Sequence, residues 1–407
     1  MRSVAFPVCL FLNVMLFGMC GYMYLLWLQY WHKIWVQKQH EPEYEMSDFR
    51  RNEAIIEYDD DPSVQVTRNL LKEEKNKKPP LSFLHRDAYV GEIAATRLNM
   101  LKTKTISRLR QALFDESNNI DPELGNPYGV QPKEFKSNHD NLQCDLYSRL
   151  KTAKTLRKSD ISGRIRDAIP PNDIFSNTTT FNNCAIVTSA GSLHHSNLGT
   201  FIDSHDLVLR FNNAPVQNHE NDVGTKTTVR ILNSQILSKD EFQFLNSSMY
   251  KNITLLVWDP SNYSATTQQW IENPEHNFLE SYVKYMSKYP TSNFQILDPS
   301  VLWLLWDFIQ GHTSIKIKPN PPSSGFLGIA LLLPYCSTVN VMEYIPSQRA
   351  TQRCHYYSKK SDPLCTYGVW HPLAAEKLIA LAMNTATDNA VFYDGYISIP
   401  GYSKLSC

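Results

Sequence analysis

One stretch of this chain, residues 184–234, constrains the fold more than any other part of the sequence. Residues 185–187 form a short apolar run, residues 189–192 have turn composition with one glycine, and residues 206–211 again have strand composition. A third apolar run then ends at Asn233. This order of strand, turn, helix, strand, loop and strand predicts an α/β unit.

Polar residues follow the predicted strands of this segment. Ser189, Asn212 and Asn233 each come after one of them. Because α/β units bind their ligands at the carboxyl ends of the strands, we expect these side chains to surround a ligand. The segment lacks the Gly-x-Gly-x-x-Gly pattern, which argues against a dinucleotide oxidoreductase and leaves a mononucleotide as the ligand.

An uncharged run near the amino terminus, residues 4–28, is long enough to span a membrane. A helix of this length exceeds the hydrocarbon layer of a bilayer, which is roughly 30 Å thick. A cleaved signal peptide is the alternative, but its apolar region is usually about half as long and an Ala-x-Ala site follows it. No such site follows here, so a retained anchor is the better interpretation.

Two features predict that the chain beyond the anchor is luminal. Six of the eight cysteines lie there, which suits an oxidising compartment, although free buried thiols are an alternative. Four glycosylation sequons also lie there, at Asn177, Asn246, Asn252 and Asn262. The sequence therefore predicts a type II membrane protein, and its formal net charge of zero gives no indication of nucleic acid as a partner.

Composition divides the chain into four parts. These are a short cytoplasmic tail (1–3), the transmembrane signal anchor (4–28), a stem rich in charge (29–138) and a luminal domain (139–407). Within the stem, apolar residues at loosely helical spacing between Leu98 and Leu113 predict a marginal amphipathic helix. Residues 59–61 are three aspartates, which we interpret as solvated stem residues and not as a metal site.

The luminal domain contains further predicted elements. Strands are expected at residues 253–259, 293–297 and 339–344, and helices at residues 302–309 and 326–333. The first of these helices is aromatic and apolar at helical spacing, which is more typical of a core helix than of a ligand site.

Two motifs near the carboxyl terminus place polar side chains at a helix start. Ser323-Ser324-Gly325 opens an apolar helix, and its free N–H groups suit a phosphate, with an ordinary helix cap as the alternative. His371 precedes Pro372, so we expect it near an N-cap. The helix dipole disfavours imidazolium there, so the ring should stay neutral and able to accept a proton, although capping or packing histidines are common at such positions.

Together these motifs resemble the sialyltransferases. The four similar segments are residues 184–234 for the large sialyl motif, Pro321-Pro322-Ser323-Ser324-Gly325 for the small one, His355-Tyr356-Tyr357 for the third, and His371-Pro372-Leu373 with Glu376 for the very short one. They occur in the family's order. Residues 223–228, residues 258–260 and the terminal Cys407 are most similar to the β-galactoside α-2,6-sialyltransferases.

This resemblance implies a fold and an activity. The fold would be a Rossmann-like, mostly parallel central sheet flanked by helices, a GT-A-like variant, forming a single luminal catalytic domain in the Golgi. The enzyme would transfer sialic acid from CMP-sialic acid to the 6-hydroxyl of a terminal β-galactose or N-acetylgalactosamine of a glycan. The reaction would invert the anomeric centre and need no metal or other cofactor. Whether two copies form a homodimer is left open.

The resemblance also implies roles for individual residues. His371 would be the general base, and His355 would donate a hydrogen bond to the departing phosphate. The donor-binding residues would be Ser189, Asn212, Asn233, Ser323, Ser324, Gly325, Cys354, His355 and Thr366, and the acceptor-binding residues Gln235, Glu275, Trp370 and Lys377. Glu376 would support its helix or orient its neighbours.

Two acceptor positions depart from the family's usual pattern. Trp370 replaces a tyrosine and Glu275 replaces an aspartate, so galactose and N-acetylgalactosamine termini are both open. Sequence alone does not choose among the cysteine pairings; the resemblance implies Cys184–Cys336, Cys354–Cys365 and Cys144–Cys407.

Two other functions compete with this interpretation. A glycan- or nucleotide-binding ectodomain without turnover is the main alternative. A different nucleotide-dependent α/β enzyme, such as a methyltransferase, is disfavoured by the luminal topology and the sequons.

Overall fold

The structure, a computed structural model, describes residues 83–120, 125–131, 141–150, 155–171, 173–175, 180–362, 364–368 and 370–407. The chain divides into two compact units, Met1–Ala88 and Tyr89–Cys407. The strands of the described residues all belong to the second unit. The predicted tail, the predicted anchor and the three stem aspartates lie outside the described residues. Among the helices that are described, none combines the length and the apolar character needed to cross a bilayer.

The second unit alternates helices and strands over most of its length. In chain order the main elements are α1 (Phe83–Asn118, which begins in the first unit), α2 (Leu142–Leu150), α3 (Arg164–Ala168), β1 (Phe181–Val187), α4 (Gly199–Asp203), β2 (Leu207–Phe211), α5 (Glu220–Val223), β3 (Val229–Asn233), α6 (Gln235–Ser238), β4 (Thr254–Trp258), α7 (Thr267–Glu272), α8 (Leu279–Lys288), β5 (Phe294–Ile296), α9 (Ser300–Gly311), α10 (Ser324–Leu332), β6 (Cys336–Met342), α11 (Leu364–Tyr367), α12 (Leu373–Ala382) and β7 (Tyr396–Pro400).

The strands form one seven-stranded sheet in the order β5-β4-β3-β2-β1-β6-β7. All neighbouring pairs are parallel except β6 and β7, which are antiparallel. The predicted α/β fold with a mostly parallel sheet is therefore confirmed. The strand order reverses between β1 and β6, and ligands of such sheets bind at the carboxyl ends of the strands beside this switch point.

Helices α9 and α10 pack in the main apolar core with the sheet. Helix α9 buries seven of its residues, including Trp303 and Trp306, because most of its side chains are apolar. The expectation of a core helix at residues 302–309 is thus confirmed. Helix α10 approaches β2 closely: a Cβ atom at Gly328 would lie 3.1 Å from the Phe211 ring, so a larger residue there would require that ring to shift by a few tenths of an ångström.

Helix α1 confirms the predicted amphipathic helix but is longer than its apolar residues indicated. Leu109 is fully buried, and Leu113 belongs to the main core cluster. Lys102 pairs with Asp388 near the other end of the chain, at 2.9 Å. Apolar residues of this helix are therefore buried in the second unit, which begins at Tyr89, and the predicted domain boundary at residue 139 stays a prediction.

Three disulfides tie distant segments together. They join Cys144 to Cys407, Cys184 to Cys336 and Cys354 to Cys365, the pairs that the family resemblance implies. The sequon residues Asn246, Asn252 and Asn262 are all exposed, whereas Asn177 lies outside the described residues.

Candidate active site

Polar side chains meet at the carboxyl edge of the sheet. Asn212, directly after β2, has a left-handed backbone conformation with φ of 46°. Its Oδ1 accepts a hydrogen bond of 2.9 Å from the N–H of Asn233, the last residue of β3. The Oδ1 atom of Asn233 is buried and has no hydrogen-bond partner among the described residues. Since buried polar atoms are normally paired, this oxygen is available to a ligand that donates a hydrogen bond.

Two buried arginines lie beneath this edge, and sequence reasoning did not single them out. Arg210 and Arg230 face each other across β2 and β3, and each is 1% exposed. Arg230 donates to the carbonyls of Phe211, Asn212 and Ala214, so it holds the turn that carries Asn212. Burial lowers the pKa of Arg210 to about 10.

Neither arginine forms an ion pair with a carboxylate in the part of the chain that the structure describes. Their buried positive charge therefore favours an anionic ligand nearby. In the sequence, Arg210 and Arg230 are marked only by being charged residues within apolar strand runs.

His355 lies beside Ser189, as expected if both bind one ligand. Ala190 and His355 form an isolated antiparallel bridge, and the N–H of Tyr356 donates to the Ser189 carbonyl at 3.2 Å. The side chains of Ser189 and Tyr357 also hydrogen-bond each other. The exposed His355 ring stacks on Tyr357 with 5.1 Å between ring centroids. The third motif is thus held against the first turn of the large motif.

The remaining two predicted donor residues of this region have different surroundings. Cys354 is joined to Cys365, so it contributes a structural cross-link and no free thiol. Thr366 is half-buried in the short helix α11, one residue after this disulfide.

The Ser323-Ser324-Gly325 turn begins α10. The Ser323 hydroxyl accepts from the Phe326 N–H at 3.2 Å and so caps the helix. It also donates to the Glu376 carboxylate, which in addition accepts the Ser323 N–H at 2.7 Å. The Ser323 hydroxyl and N–H are therefore hydrogen-bonded within the protein, and the predicted donor contact of Ser323 stays a prediction.

The next two residues of the turn lie closer to the surface. Ser324 Oγ accepts from Trp258 Nε1 at 2.9 Å and retains its own hydrogen for another acceptor. A Cβ atom at Gly325 would lie 2.9 Å from the Tyr344 ring, so only glycine fits this position without displacing the tyrosine.

Glu376 is fully buried on α12 and accepts from Tyr344 Oη at 3.0 Å as well as from Ser323. Burial raises the pKa of its carboxyl, while the hydrogen bonds from Ser323 oppose this. The expectation that Glu376 orients its neighbours agrees with these contacts.

Lys377 packs against Tyr344. It is 8% exposed, and its ammonium donates to the Tyr344 carbonyl and lies over the Tyr344 ring. Burial lowers its pKa to about 8. The lysine side chain packs inward from its helix onto Tyr344, and its predicted acceptor contact stays a prediction.

His371 contacts the small-motif turn directly. Its Nδ1 lies 2.7 Å from the Pro321 carbonyl. Because a carbonyl oxygen only accepts, Nδ1 carries the hydrogen in this contact and Nε2 keeps its lone pair. Burial lowers the pKa of His371 to about 4, and the bond to Pro321 opposes this shift. The lowered pKa favours the neutral ring that the sequence predicts, and burial is its largest cause.

Aromatic rings surround His371. Trp370, which is 39% exposed, meets it edge-on with 4.6 Å between centroids. Trp258, whose indole nitrogen donates to Ser324, lies on another side at 6.3 Å. Trp258 therefore links the histidine to the turn before α10, and the two motifs form one site.

A second side of the site is formed by residues around Trp370. Tyr128 is buried and lies 6.2 Å from Trp370 and 5.5 Å from Trp303 between ring centroids. Burial raises its pKa, and the charge of Glu275 adds to this shift. Glu275 is exposed near this aromatic group. Sequence reasoning missed Tyr128 because it assigned residues 29–138 to the stem.

Gln235, the first residue of α6, is the last of the predicted acceptor residues. It is half-buried, and its Oε1 accepts from Lys239 at 2.7 Å. Gln235 follows Asn233 by two residues. One strand-to-helix turn therefore carries both a predicted donor-binding residue, Asn233, and a predicted acceptor-binding residue, Gln235.

The model of glycosyltransferase family 29 (sialyltransferase) matches residues 132–387. The chain belongs to this family. The resemblance that the sequence motifs carry is therefore confirmed.

Curated members of family 29 are similar over most of this chain. A protein of Danio rerio named beta-galactoside alpha-2,6-sialyltransferase 2 is 41% identical over 309 residues, which cover 74% of this chain and 58% of that protein. The Rattus norvegicus protein of the same name is 38% identical over 354 residues, 83% of this chain and 66% of its own length. The chain thus spans about three fifths of the length of these relatives. A crystal structure of a mammalian sialyltransferase matches with 19% identity and a TM-score of 0.38, covering 67% of this chain and 90% of that one.

Proposed function

We propose that this family 29 member transfers sialic acid from CMP-sialic acid to the 6-hydroxyl of a terminal β-linked galactose or N-acetylgalactosamine on a glycan. Family membership and the names of its relatives support the donor and the linkage. The observation that carries the mechanism is the hydrogen bond from His371 Nδ1 to the Pro321 carbonyl. It leaves Nε2 as a base beside the turn that begins α10.

The donor is proposed to lie along the carboxyl edge of the sheet. A CMP ester of sialic acid carries a phosphate and a carboxylate, so it gains from the buried charge of Arg210 and Arg230. The orphan Oδ1 of Asn233 can accept a hydrogen bond from a hydroxyl or amino group of the nucleoside. Ser324 and His355 can donate to the phosphate oxygens as the bond to sialic acid breaks.

A base with a pKa of about 4 is sufficient for the proposed reaction. As CMP departs, the sugar centre becomes an oxocarbenium ion, which the acceptor oxygen attacks from the opposite face. Attack makes the acceptor hydroxyl strongly acidic, so a weak neutral base can take its proton. One displacement inverts the anomeric centre, and hydrogen bonds and buried cationic charge balance the departing phosphate without a metal ion.

The acceptor is proposed to bind on the side formed by Trp370, Tyr128 and Glu275. An exposed indole face suits the apolar face of a pyranose, and a carboxylate accepts hydrogen bonds from sugar hydroxyls. We further propose that the chain is a single-pass type II protein of the Golgi membrane with this domain in the lumen. The exposed sequon residues Asn246, Asn252 and Asn262 support that topology.

The test is release of CMP from CMP-sialic acid by the purified chain, with galactose- and N-acetylgalactosamine-terminated acceptors in parallel. We expect acceptor-dependent release, a 2,6-linked product and the same rate in a metal chelator. His371→Ala should lower kcat by about 10²- to 10⁴-fold, since that is the range for loss of a general base. The same variant should bind CMP as the unsubstituted chain does, which controls for folding.

Two outcomes contradict this proposal. Binding of CMP without acceptor-dependent release would favour the non-catalytic ectodomain. Near-normal turnover by His371→Ala would remove the histidine from the mechanism.

A further inference from the structure

Asp259 is a buried carboxylate at the end of β4 that the proposed mechanism does not use. It is 0% exposed. Its Oδ1 accepts from Ser234 Oγ and from the His276 N–H, the latter at 3.2 Å. Its Oδ2 accepts from Trp270 Nε1 and from the Glu275 N–H, both at 2.9 Å. The four donors use the acceptor capacity of this carboxylate.

These donors come from three separate parts of the chain. Ser234 lies in the turn between β3 and α6, and Trp270 is buried on α7. The other two are consecutive backbone N–H groups of a loop between α7 and α8, at Glu275 and His276. Asp259 therefore ties this loop to the end of the central sheet.

The loop lies on the Trp370 side of the site. The Tyr263 N–H, in the segment that follows Asp259, donates to the Tyr128 carbonyl at 2.9 Å, and the charge of Glu275 contributes to the raised pKa of Tyr128. Tyr128 in turn contacts Trp370, which contacts His371. The position of Glu275 relative to His371 thus depends on two hydrogen bonds to one buried carboxylate.

The opposite side of the site is held by other contacts. Asn233 is fixed by its N–H bond to Asn212, and the turn of Asn212 is fixed by Arg230. Asp259 bonds to none of these three residues. A change at Asp259 therefore leaves the hydrogen bonds among these three residues in place.

We propose that Asp259 is a positioning residue that sets the affinity for the acceptor glycan, and not for the nucleotide donor, by holding the loop at residues 275–276. This inference rests on the proposed sialyl transfer. The inference adds Asp259 to the residues that act in the transfer. Asp259 touches neither substrate, and it affects the acceptor glycan but not the nucleotide donor.

Asp259→Asn is the most informative substitution because it keeps the size of the side chain. An amide presents one oxygen and one NH₂ group to four donors. If the NH₂ replaces Oδ1, the His276 N–H loses its acceptor; if it replaces Oδ2, the Glu275 N–H and Trp270 Nε1 lose theirs. Ser234 alone can adapt, because its hydroxyl can accept as well as donate. Either orientation therefore releases a loop N–H.

The experiment measures KM for CMP-sialic acid and for the acceptor glycan with the full chain and its variants, together with the Ki of CMP. In Asp259→Asn we expect the acceptor KM to rise about tenfold, the effect of one buried donor left without an acceptor. The donor KM and the Ki of CMP should stay within about twofold. His276→Pro removes one loop N–H and leaves Asp259 in place; it should raise the acceptor KM in the same direction.

Ser234→Ala is the matched control. It removes one donor to the same carboxylate but leaves both loop N–H bonds, so its acceptor KM should change less than about twofold. An unchanged acceptor KM in Asp259→Asn and His276→Pro would overturn the inference, as would a parallel rise in the donor KM. An unsubstituted chain without acceptor-dependent transfer would overturn the proposed function, and this inference with it.

Discussion

Glu376 offers the sharpest test of how the site is held together, because its carboxylate joins α12 to the turn before α10. It accepts the Ser323 N–H, the Ser323 hydroxyl and the Tyr344 hydroxyl, all of them buried. In Glu376→Ala the hydroxyls can turn to other acceptors, but the Ser323 N–H is fixed by the backbone and loses its partner. With the cavity left by the shorter side chain, we expect a loss of about 3 to 4 kcal/mol in the free energy of unfolding.

Glu376→Gln should cost much less. Its amide oxygen can take the Ser323 N–H, while its NH₂ faces the two hydroxyls, which can both accept. We expect about 1 kcal/mol for this variant and about the same for Tyr344→Phe, which removes one donor. At roughly 2 °C per kcal/mol for a domain of this size, the melting temperature should fall by about 6 to 8 °C in Glu376→Ala and by about 2 °C in the other two.

The pH dependence of this comparison provides a second check. Burial raises the pKa of Glu376 in the folded chain, so the fold is stabilised at low pH and loses that contribution as the pH rises through the folded pKa. Glutamine does not titrate, so the stability advantage of the unsubstituted chain over Glu376→Gln should shrink as the pH rises. Thermal unfolding at several pH values measures both effects. Equal and small shifts for the alanine and glutamine variants would refute the reasoning.

The His371 environment and the disulfides each give a further prediction. Because burial lowers the pKa of His371 to about 4, its neutral form persists at higher pH. On acidification, kcat/KM should therefore fall only well below pH 6.5. A kcat/KM that drops to half its maximum near pH 6.5 would contradict this. Replacing Cys184 and Cys336 by alanine opens a loop of 152 residues and should cost about 5 kcal/mol, whereas the same change at Cys354 and Cys365 opens one of 11 residues and should cost about 3 kcal/mol. Denaturant unfolding compares the two pairs, and an equal loss for both would contradict the loop-closure argument.

Several structural details would not have been found from local sequence patterns. Lys377 directly follows Glu376 on α12. The residues next to it in the sequence do not indicate that its side chain packs inward onto Tyr344. Tyr128 falls within residues 29–138, whose high charge and lack of strand signals predict a stem. Arg210 and Arg230 are charged residues within apolar strands, a pattern that does not say what they bind. In each case the contacts are made with another segment of the folded chain.

The sequence by itself determined the α/β order of elements, the strand-end residues Ser189, Asn212 and Asn233, and the family to which the chain belongs. Short-range periodicity and motif spacing carry that information, because strands, turns and helix starts depend on neighbouring residues. Only the tertiary structure decided that Ser323 is committed to Glu376, that burial keeps His371 neutral, and that Asp259 ties a distant loop to the sheet. Burial and hydrogen-bond partners depend on segments that meet only after the chain has folded, so no local pattern records them.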